Sequence, residues 1–177
     1  MKTFKQLLEE LSACSDAIEW AGKKEINNVV KQCPRGDWLL WLGQRLNLPL
    51  NKMTLAKARC AKTVINLMTD ERSINAVNVA ERFGLDEATL EELNAAYASA
   101  AYATYASYAA AAATYAAAAS AAAAASAATY ASYASYAAAT SAYAAARTKN
   151  EKQTAKICRE ILGELIIEAV NKKLLEG

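Results

Sequence analysis

Residues 93–146 read LNAAYASAAYATYASYAAAAATYAAAASAAAAASAATYASYASYAAATSAYAAA, and this stretch contains no charged residue, glycine or proline. We call it the alanine–tyrosine tract. Because alanine has the highest helix propensity and both strong helix breakers are absent, the tract predicts helix throughout. A membrane span is a poor interpretation, since hydroxyl groups interrupt the tract and its length far exceeds the roughly 20 residues that cross a bilayer.

The tyrosines of the tract form an internal repeat. Two sets share one internal spacing and are displaced by 28 residues: Tyr102, Tyr105, Tyr108 and Tyr115, then Tyr130, Tyr133, Tyr136 and Tyr143. At about 100° per residue, each set occupies a helical arc roughly 140° wide, and alanine and serine occupy the other faces. The repeat therefore predicts a duplicated helical unit with a tyrosine face and a small-residue back.

The repeat favours a helical hairpin. A single helix over the tract would be a rod roughly 80 Å long. A turn near residues 119–126 would instead place Tyr115 beside Tyr130 and Tyr108 near Tyr136. An antiparallel dimer of long helices would produce the same pairs, so both arrangements remain open.

The tyrosine faces have three interpretations. They pack as core against the N-terminal helices, form the seam of a homo-oligomer, or line a cleft that stacks a flat ligand. In the third case the binding residues are Tyr102, Tyr105, Tyr108, Tyr130, Tyr133 and Tyr136.

Composition narrows the function classes. The chain has 20 Lys and Arg against 18 Asp and Glu, so its net charge of +2 gives no reason to expect a nucleic-acid partner. Histidine is absent, which removes the commonest general base, and no catalytic motif occurs. We therefore expect a protein that is not an enzyme and needs no cofactor.

The cysteines and the N-terminus suggest a reducing compartment. Cys14, Cys33, Cys60 and Cys158 form no CxxC pair, which disfavours a metal site and predicts four small buried residues. The start, MKTFKQLLEE, lacks the apolar stretch of a signal peptide. We expect a cytoplasmic protein without a membrane anchor.

Residues 1–88 predict a cluster of short amphipathic helices. Thr3 is placed to cap the first, and Gly22 to end the second. Residues 33–36 form a turn, after which Asp37 predicts the N-cap of a helix over residues 38–42.

Further helices are expected over residues 52–68 and 71–83. Gly84 predicts the stop of the second one. Thr89 and Glu92 match a capping box that opens the alanine–tyrosine tract.

The segment after residue 146 changes composition sharply. It carries a basic stripe that is either a solvated helix face or an anion contact: Arg147, Lys149, Lys152, Lys156 and Arg159. It also carries an apolar face that should dock on the N-terminal helices: Ile157, Ile161, Leu165, Ile166 and Val170.

Together these patterns predict an all-α protein with no strand signal. Its parts are an N-terminal cluster of short helices (1–88), a long alanine- and tyrosine-rich helical hairpin (89–146) and a C-terminal helix (147–177). We expect them to pack as one integrated domain.

Four segments resemble a family of immunity proteins found in bacterial genomes, prophages and phages. They are LSACSDAIEWA (11–21), CPRGDWLLWL (33–42), LAKARCAKTV (55–64) and LMTDERSINAV (67–77), followed by the alanine–tyrosine tract. The resemblance implies non-catalytic binding that neutralises a toxin or, in phage, a host-defence component. A sponge that sequesters a nucleotide-like immune signal is the first alternative, and a structural or oligomerising module is the second.

The candidate binding residues in residues 1–88 are tryptophans and charged side chains. For tryptophan the ordinary role is core packing, and for the basic residues it is a solvated surface. The residues are Trp20, Asp37, Trp38 and Trp41, with Lys57, Arg59 and Arg72 as anion partners.

Overall fold

A computed structural model describes residues 2–67, 70–100 and 129–176. These ranges are mostly helical and contain no strand, which confirms the all-α prediction. No helix in them is long and apolar enough to cross a membrane. The helices are α1 (Phe4–Glu10), α2 (Ser15–Ala21), α3 (Ile26–Gln32), α4 (Gly36–Arg45), α5 (Leu50–Lys62), α6 (Glu71–Gly84), α7 (90–100, where the described range stops) and α8 (Thr129–Leu175).

Three predicted helix ends are confirmed. At α1 the Thr3 hydroxyl accepts a hydrogen bond from the Gln6 amide, and the Gln6 side chain accepts one from the Thr3 amide. Thr89 and Glu92 form the equivalent reciprocal pair at the start of α7. Gly22 ends α2 with φ of 53°, a conformation that glycine adopts without steric cost.

Three other helices end on a left-handed residue that is not glycine. Ser12, Asn47 and Asp86 have φ of 61°, 55° and 63°, each one position after the C-cap of α1, α4 and α6. The following amide donates back into the helix, as from Glu87 to the Arg82 carbonyl at 2.8 Å. This is the Schellman arrangement, and it satisfies carbonyls that the helix end leaves without a partner.

Two predicted helix limits were wrong. The helix expected over residues 52–68 ends at Lys62, and a 3-10 turn over Ile65–Leu67 follows. Gly84 is the last residue of α6 rather than its left-handed stop, which is Asp86. Gly84 is required for packing instead, because a Cβ atom there would lie 2.5 Å from the Leu55 Cβ.

The C-terminal half of α8 is the centre of the core. It packs against α3, α4 and α5, and α5 also packs against α6. Gly36 lets the start of α4 approach the backbone of α8 closely, since a Cβ atom at this position would lie 2.8 Å from the Thr154 carbonyl carbon. No polar or charged side chain is buried in the described part of the chain. Apolar burial therefore holds these helices together.

The buried stripe of α8 differs in part from the predicted one. Ile166 and Val170 are fully buried, as expected. Ile157, Ile161 and Leu165 are only half-buried, because the helix is rotated so that another row faces the core. That row is Ala155, Cys158, Leu162, Ile166 and Val170.

Helix α8 joins two segments of different composition. It contains 47 residues and continues through Ala146 and Arg147 without a break, so it is roughly 70 Å long. The expected turn near residues 119–126 lies outside the described residues. The hairpin thus remains a prediction, as does the pairing of its tyrosines.

Candidate functional site

A cavity of about 470 Å³ lies among α1, α2, α3 and α4. Its walls include all three tryptophans of the chain, Trp20, Trp38 and Trp41, each of them half-buried. We call it the tryptophan pocket. Its floor consists of buried core residues: Phe4, Leu8, Ala21, Val29, Cys33, Leu39 and Leu42. Its volume lies within the range of small-ligand binding pockets.

Each tryptophan of the pocket carries a basic group over its ring. Lys24 Nζ lies 4.5 Å from the Trp20 ring centroid and also donates to the Trp20 carbonyl. The other two pairs are Arg35 over Trp38 at 4.9 Å and Arg45 over Trp41 at 5.7 Å. Attraction between cation and ring quadrupole restrains the indoles although they are partly exposed.

Two of the tryptophans also contact each other. The ring centroids of Trp20 and Trp38 are 5.9 Å apart, and the planes are inclined by 54°. Such tilted aromatic pairs are favourable beyond the area that they bury. The contact joins α2 to α4 and holds one wall of the pocket in place.

Asp37 lies at the pocket but does not occupy the N-cap, which corrects the prediction. Helix α4 begins two residues earlier than predicted, at Gly36, and Arg35 is its N-cap. The Asp37 carboxylate instead accepts two hydrogen bonds from Arg35, at 3.0 Å from Nε and 2.6 Å from Nη2. These bonds from Arg35 are the main reason that the pKa of Asp37 is lowered. The carboxylate therefore remains charged at the pocket rim.

The floor of the pocket is joined to α8 through the end of α3. Cys33 is buried and its Sγ donates to the Arg35 carbonyl at 3.2 Å, while burial raises the pKa of its thiol. Arg159 of α8 donates from Nη1 to the Cys33 carbonyl at 2.5 Å. This member of the predicted basic stripe thus caps a helix end and is half-buried.

The remaining basic candidates do not line the pocket. Lys57 is exposed on α5. Arg59 donates to Glu81 at 3.2 Å, and Arg72 pairs with Asp70 at 2.9 Å. Both arginines are thus engaged by carboxylates of the chain, which weakens their candidacy as anion ligands.

The six tyrosine candidates lie beyond the side chains that the structure describes. Tyr102, Tyr105 and Tyr108 lie outside the described residues. Tyr130, Tyr133 and Tyr136 lie on α8, where the structure describes the backbone but not their side chains. Their assignment to core, subunit seam or ligand cleft remains a prediction.

Sequence reasoning missed the cations that hold the tryptophans. The available signal was spacing, because Lys24 and Arg45 each follow a tryptophan by four positions. Side chains four apart are neighbours on a helix. Arg35 precedes Trp38 by three positions, but nothing local distinguished it from an ordinary surface arginine.

The predicted exposure of the cysteines was wrong at one position. Cys33 and Cys158 are buried and Cys60 is partly buried, as expected for small apolar side chains. Cys14 is exposed and lies at the pocket rim, because it precedes α2 as its N-cap residue.

The arrangement is suited to binding. In the described residues no three histidine, cysteine or carboxylate side chains converge as a metal site. The pocket combines apolar area with two acidic groups, Asp16 and Asp37, and one basic group, Arg35. No model of a known family, no curated protein and no solved structure matches the chain.

Proposed function

We propose that the chain is a non-catalytic binding protein that neutralises a toxin or host-defence protein by engaging it at the tryptophan pocket. The observation that carries the proposal is the convergence of three half-buried tryptophans, each held by a cation, on one cavity. Tryptophan and arginine are the residue types most enriched among energetic hot spots of protein interfaces. The resemblance to immunity proteins supports the same class of function.

The apolar floor of the pocket is suited to an apolar or aromatic side chain of a partner. Its floor is already part of the core, so an inserted side chain would be buried on several sides. The cation contacts restrain the indoles before binding, which lowers the entropy lost on association.

The charge of the pocket favours a protein partner over a nucleotide. Asp16 and Asp37 contribute two negative charges, and the one basic lining residue, Arg35, is already paired with Asp37. Phosphate groups entering the pocket would therefore find Asp16 and Asp37 in the lining, and its one cation already engaged by a carboxylate. A partner that surrounds its inserted side chain with basic residues is favoured.

Sequestration of a nucleotide-like immune signal is the second candidate. The tilted pair Trp20 and Trp38 could stack a base, which supports this alternative. Phosphates would then need cations outside the lining set, such as Lys24 and Arg45, which already lie over indole rings.

Native mass spectrometry of the protein purified from its own host distinguishes the candidates. We expect a protein to co-purify with the wild-type chain and to be lost with Trp38→Ala. A retained small-molecule mass would instead support the sponge, and a homo-oligomer without other components would support the structural module.

A matched control separates the pocket from the alanine–tyrosine tract. Tyr97 is an aromatic residue of α7 that is 73% exposed. We expect Tyr97→Ala to retain the partner. Loss of the partner in this variant, with retention in Trp38→Ala, would move the binding surface to the tract and contradict the proposal.

The pocket also has an intrinsic spectroscopic probe. Because all three tryptophans line it, tryptophan emission reports on the pocket without a label. Addition of the purified partner should shift or quench this emission. Addition of a cyclic dinucleotide should leave it unchanged if the partner is a protein.

A further inference from the structure

Two cysteines face each other where α5 packs on α8. The Sγ atoms of Cys60 and Cys158 are 3.6 Å apart, although the residues are separated by nearly a hundred positions in sequence. Cys158 is fully buried, whereas Cys60 is only partly buried. The pair lies away from the lining of the tryptophan pocket and has no part in the proposed binding.

We propose that Cys60 and Cys158 form a reversible disulfide, a redox modification site that links α5 covalently to α8. A disulfide has an S–S length of about 2.05 Å, so the sulfur atoms must approach by about 1.5 Å. The two helices are already packed together, so side-chain rotation can supply much of this movement. The cross-link would close a loop that contains the whole alanine–tyrosine tract.

The environments of the two thiols assign different roles to them. The two thiols share a hydrogen bond, and this bond is the main reason that the pKa of Cys60 is lowered and that of Cys158 is raised. A thiolate is the reactive form of cysteine, and access to solvent governs its oxidation. Cys60 therefore meets the oxidant first, and Cys158 resolves the product.

With a peroxide as oxidant the reaction balances in two steps. The Cys60 thiolate attacks one peroxide oxygen and the O–O bond breaks, so Cys60 becomes a sulfenic acid and the other oxygen leaves as hydroxide, which is protonated to water. The Cys158 sulfur then attacks the Cys60 sulfur, the S–O bond breaks, and the departing hydroxide takes the Cys158 proton to form a second water. Overall, two thiols and one hydrogen peroxide give one disulfide and two waters, and the thiols supply the two electrons.

The other cysteines are less well placed for this bond. Cys33 is buried, and its Sγ is hydrogen-bonded to the Arg35 carbonyl. Cys14 is exposed and is suited to disulfides between molecules rather than within one. A Cys14→Ser background removes that competing reaction without altering the pair.

Peptide mapping of the oxidised full-length protein tests the proposal. The Cys14→Ser protein is treated with hydrogen peroxide, blocked with N-ethylmaleimide and digested with trypsin. Cleavage beside the flanking basic residues places Cys60 in peptide 60–62 and Cys158 in peptide 157–159. We expect these two peptides to be linked, the intact mass before blocking to fall by two hydrogens, and dithiothreitol to reverse both changes.

Other products of the same digest would overturn the assignment. A link between peptide 157–159 and peptide 32–35 would make Cys33 the partner. Oxidation of Cys60 to sulfinic acid with no cross-link would show that the thiols do not meet. As a control, Cys33→Ser should still form the link, whereas Cys158→Ala should stop at modified Cys60.

A stability measurement gives an independent readout. The oxidised protein should unfold at a higher urea concentration than the reduced protein, because the cross-link restricts the unfolded chain. An equal midpoint would contradict a bond between packed helices. Neither measurement involves a binding partner, so its failure would leave the proposed function untouched.

Discussion

The tryptophan pocket and the α5–α6 pair use basic side chains in different ways. Around the pocket each cation lies over an indole ring, Lys24 on Trp20, Arg35 on Trp38 and Arg45 on Trp41, and Arg35 alone of the three also pairs with a carboxylate that lines the pocket, Asp37. Between α5 and α6 two cations pair with one carboxylate: Arg59 and Lys62 on Glu81.

The difference separates a binding surface from a structural one. An ion pair satisfies the charge of both side chains and leaves neither of them free to bind a ligand. A cation on one face of an indole leaves the rest of the ring able to contact a ligand. Residue type alone would assign the same role to all of these basic side chains.

The largest effect is expected from Gly84→Ala, which should break the α5–α6 region. The added Cβ would lie 2.5 Å from the Leu55 Cβ and 2.7 Å from its Cα, so backbone must move. We expect the free energy of unfolding to fall by about 3 kcal/mol. Urea denaturation followed by far-UV circular dichroism measures this loss.

Gly163→Ala is the matched control for that substitution. Its added Cβ would lie 3.1 Å from a Val30 methyl group, which can shift, and alanine gains about 1 kcal/mol of helix propensity. We expect little net change. Equal losses in the two variants would show that close backbone approach is not what Gly84 provides.

In the tryptophan pocket, Trp38→Ala should weaken partner binding more than it weakens folding. As a hot-spot residue, Trp38 should contribute about 2 kcal/mol or more to binding, so its removal should weaken partner binding at least about thirtyfold. Because Trp38 is only half-buried, the loss of stability should be about 1–2 kcal/mol, less than for a fully buried aromatic residue. Calorimetric titration with the recovered partner and urea denaturation measure the two effects separately.

Glu81→Gln tests whether the ion pairs between α5 and α6 stabilise the fold. The Lys62 and Arg59 contacts lower the pKa of Glu81, Lys62 most strongly. Its stabilisation is therefore present above the ordinary glutamate pKa of 4.5 and is lost as the pH falls through the lowered value. At neutral pH we expect the variant to lose about 0.5–1 kcal/mol, since the pair is partly exposed.

The pH dependence provides the check on Glu81. The stability difference between Glu81→Gln and wild type should shrink as the pH is lowered from neutrality through the lowered pKa. Partner binding at neutral pH should be unchanged. A difference in stability that stays constant with pH would mean that the carboxylate charge is not the cause.

The smallest effect is expected from Ser12→Gly at the rim of the pocket. Ser12 has φ of 61°, which is unfavourable for a residue with a Cβ atom. Glycine should stabilise the protein by about 0.5 kcal/mol after its greater freedom in the unfolded chain is subtracted. Thermal denaturation should show a small rise in the midpoint temperature of unfolding. Asn47→Gly should raise it less, because asparagine tolerates a positive φ better than serine does.

Part of the pocket was predictable from the sequence. Trp20, Asp37, Trp38 and Trp41 were candidate binding residues, and the structure places all four at one cavity. The three basic candidates were grouped with them only by charge, and none of them lines the pocket: Lys57, Arg59 and Arg72. The cations over the rings lie within four positions of their tryptophans, so spacing was an available signal for them, whereas Arg59 pairs with Glu81 of another helix, which composition could not show.

The sequence by itself determined the features that depend on a few adjacent residues. The all-α class follows from helix propensity and periodicity. The caps at Thr3 and Thr89 follow from a hydroxyl and a side-chain acceptor three residues apart. The physical reason is that each interaction closes within one helical turn.

Only the tertiary structure decided which surfaces meet. It placed Gly84 against Leu55 and Cys60 against Cys158, and it rotated α8 so that Leu162 faces the core. Each contact joins residues that are distant along the chain, and its geometry is set by how all the helices pack together. Local propensity carries no information about that packing, whereas the tryptophan pocket and the thiol pair both depend on it.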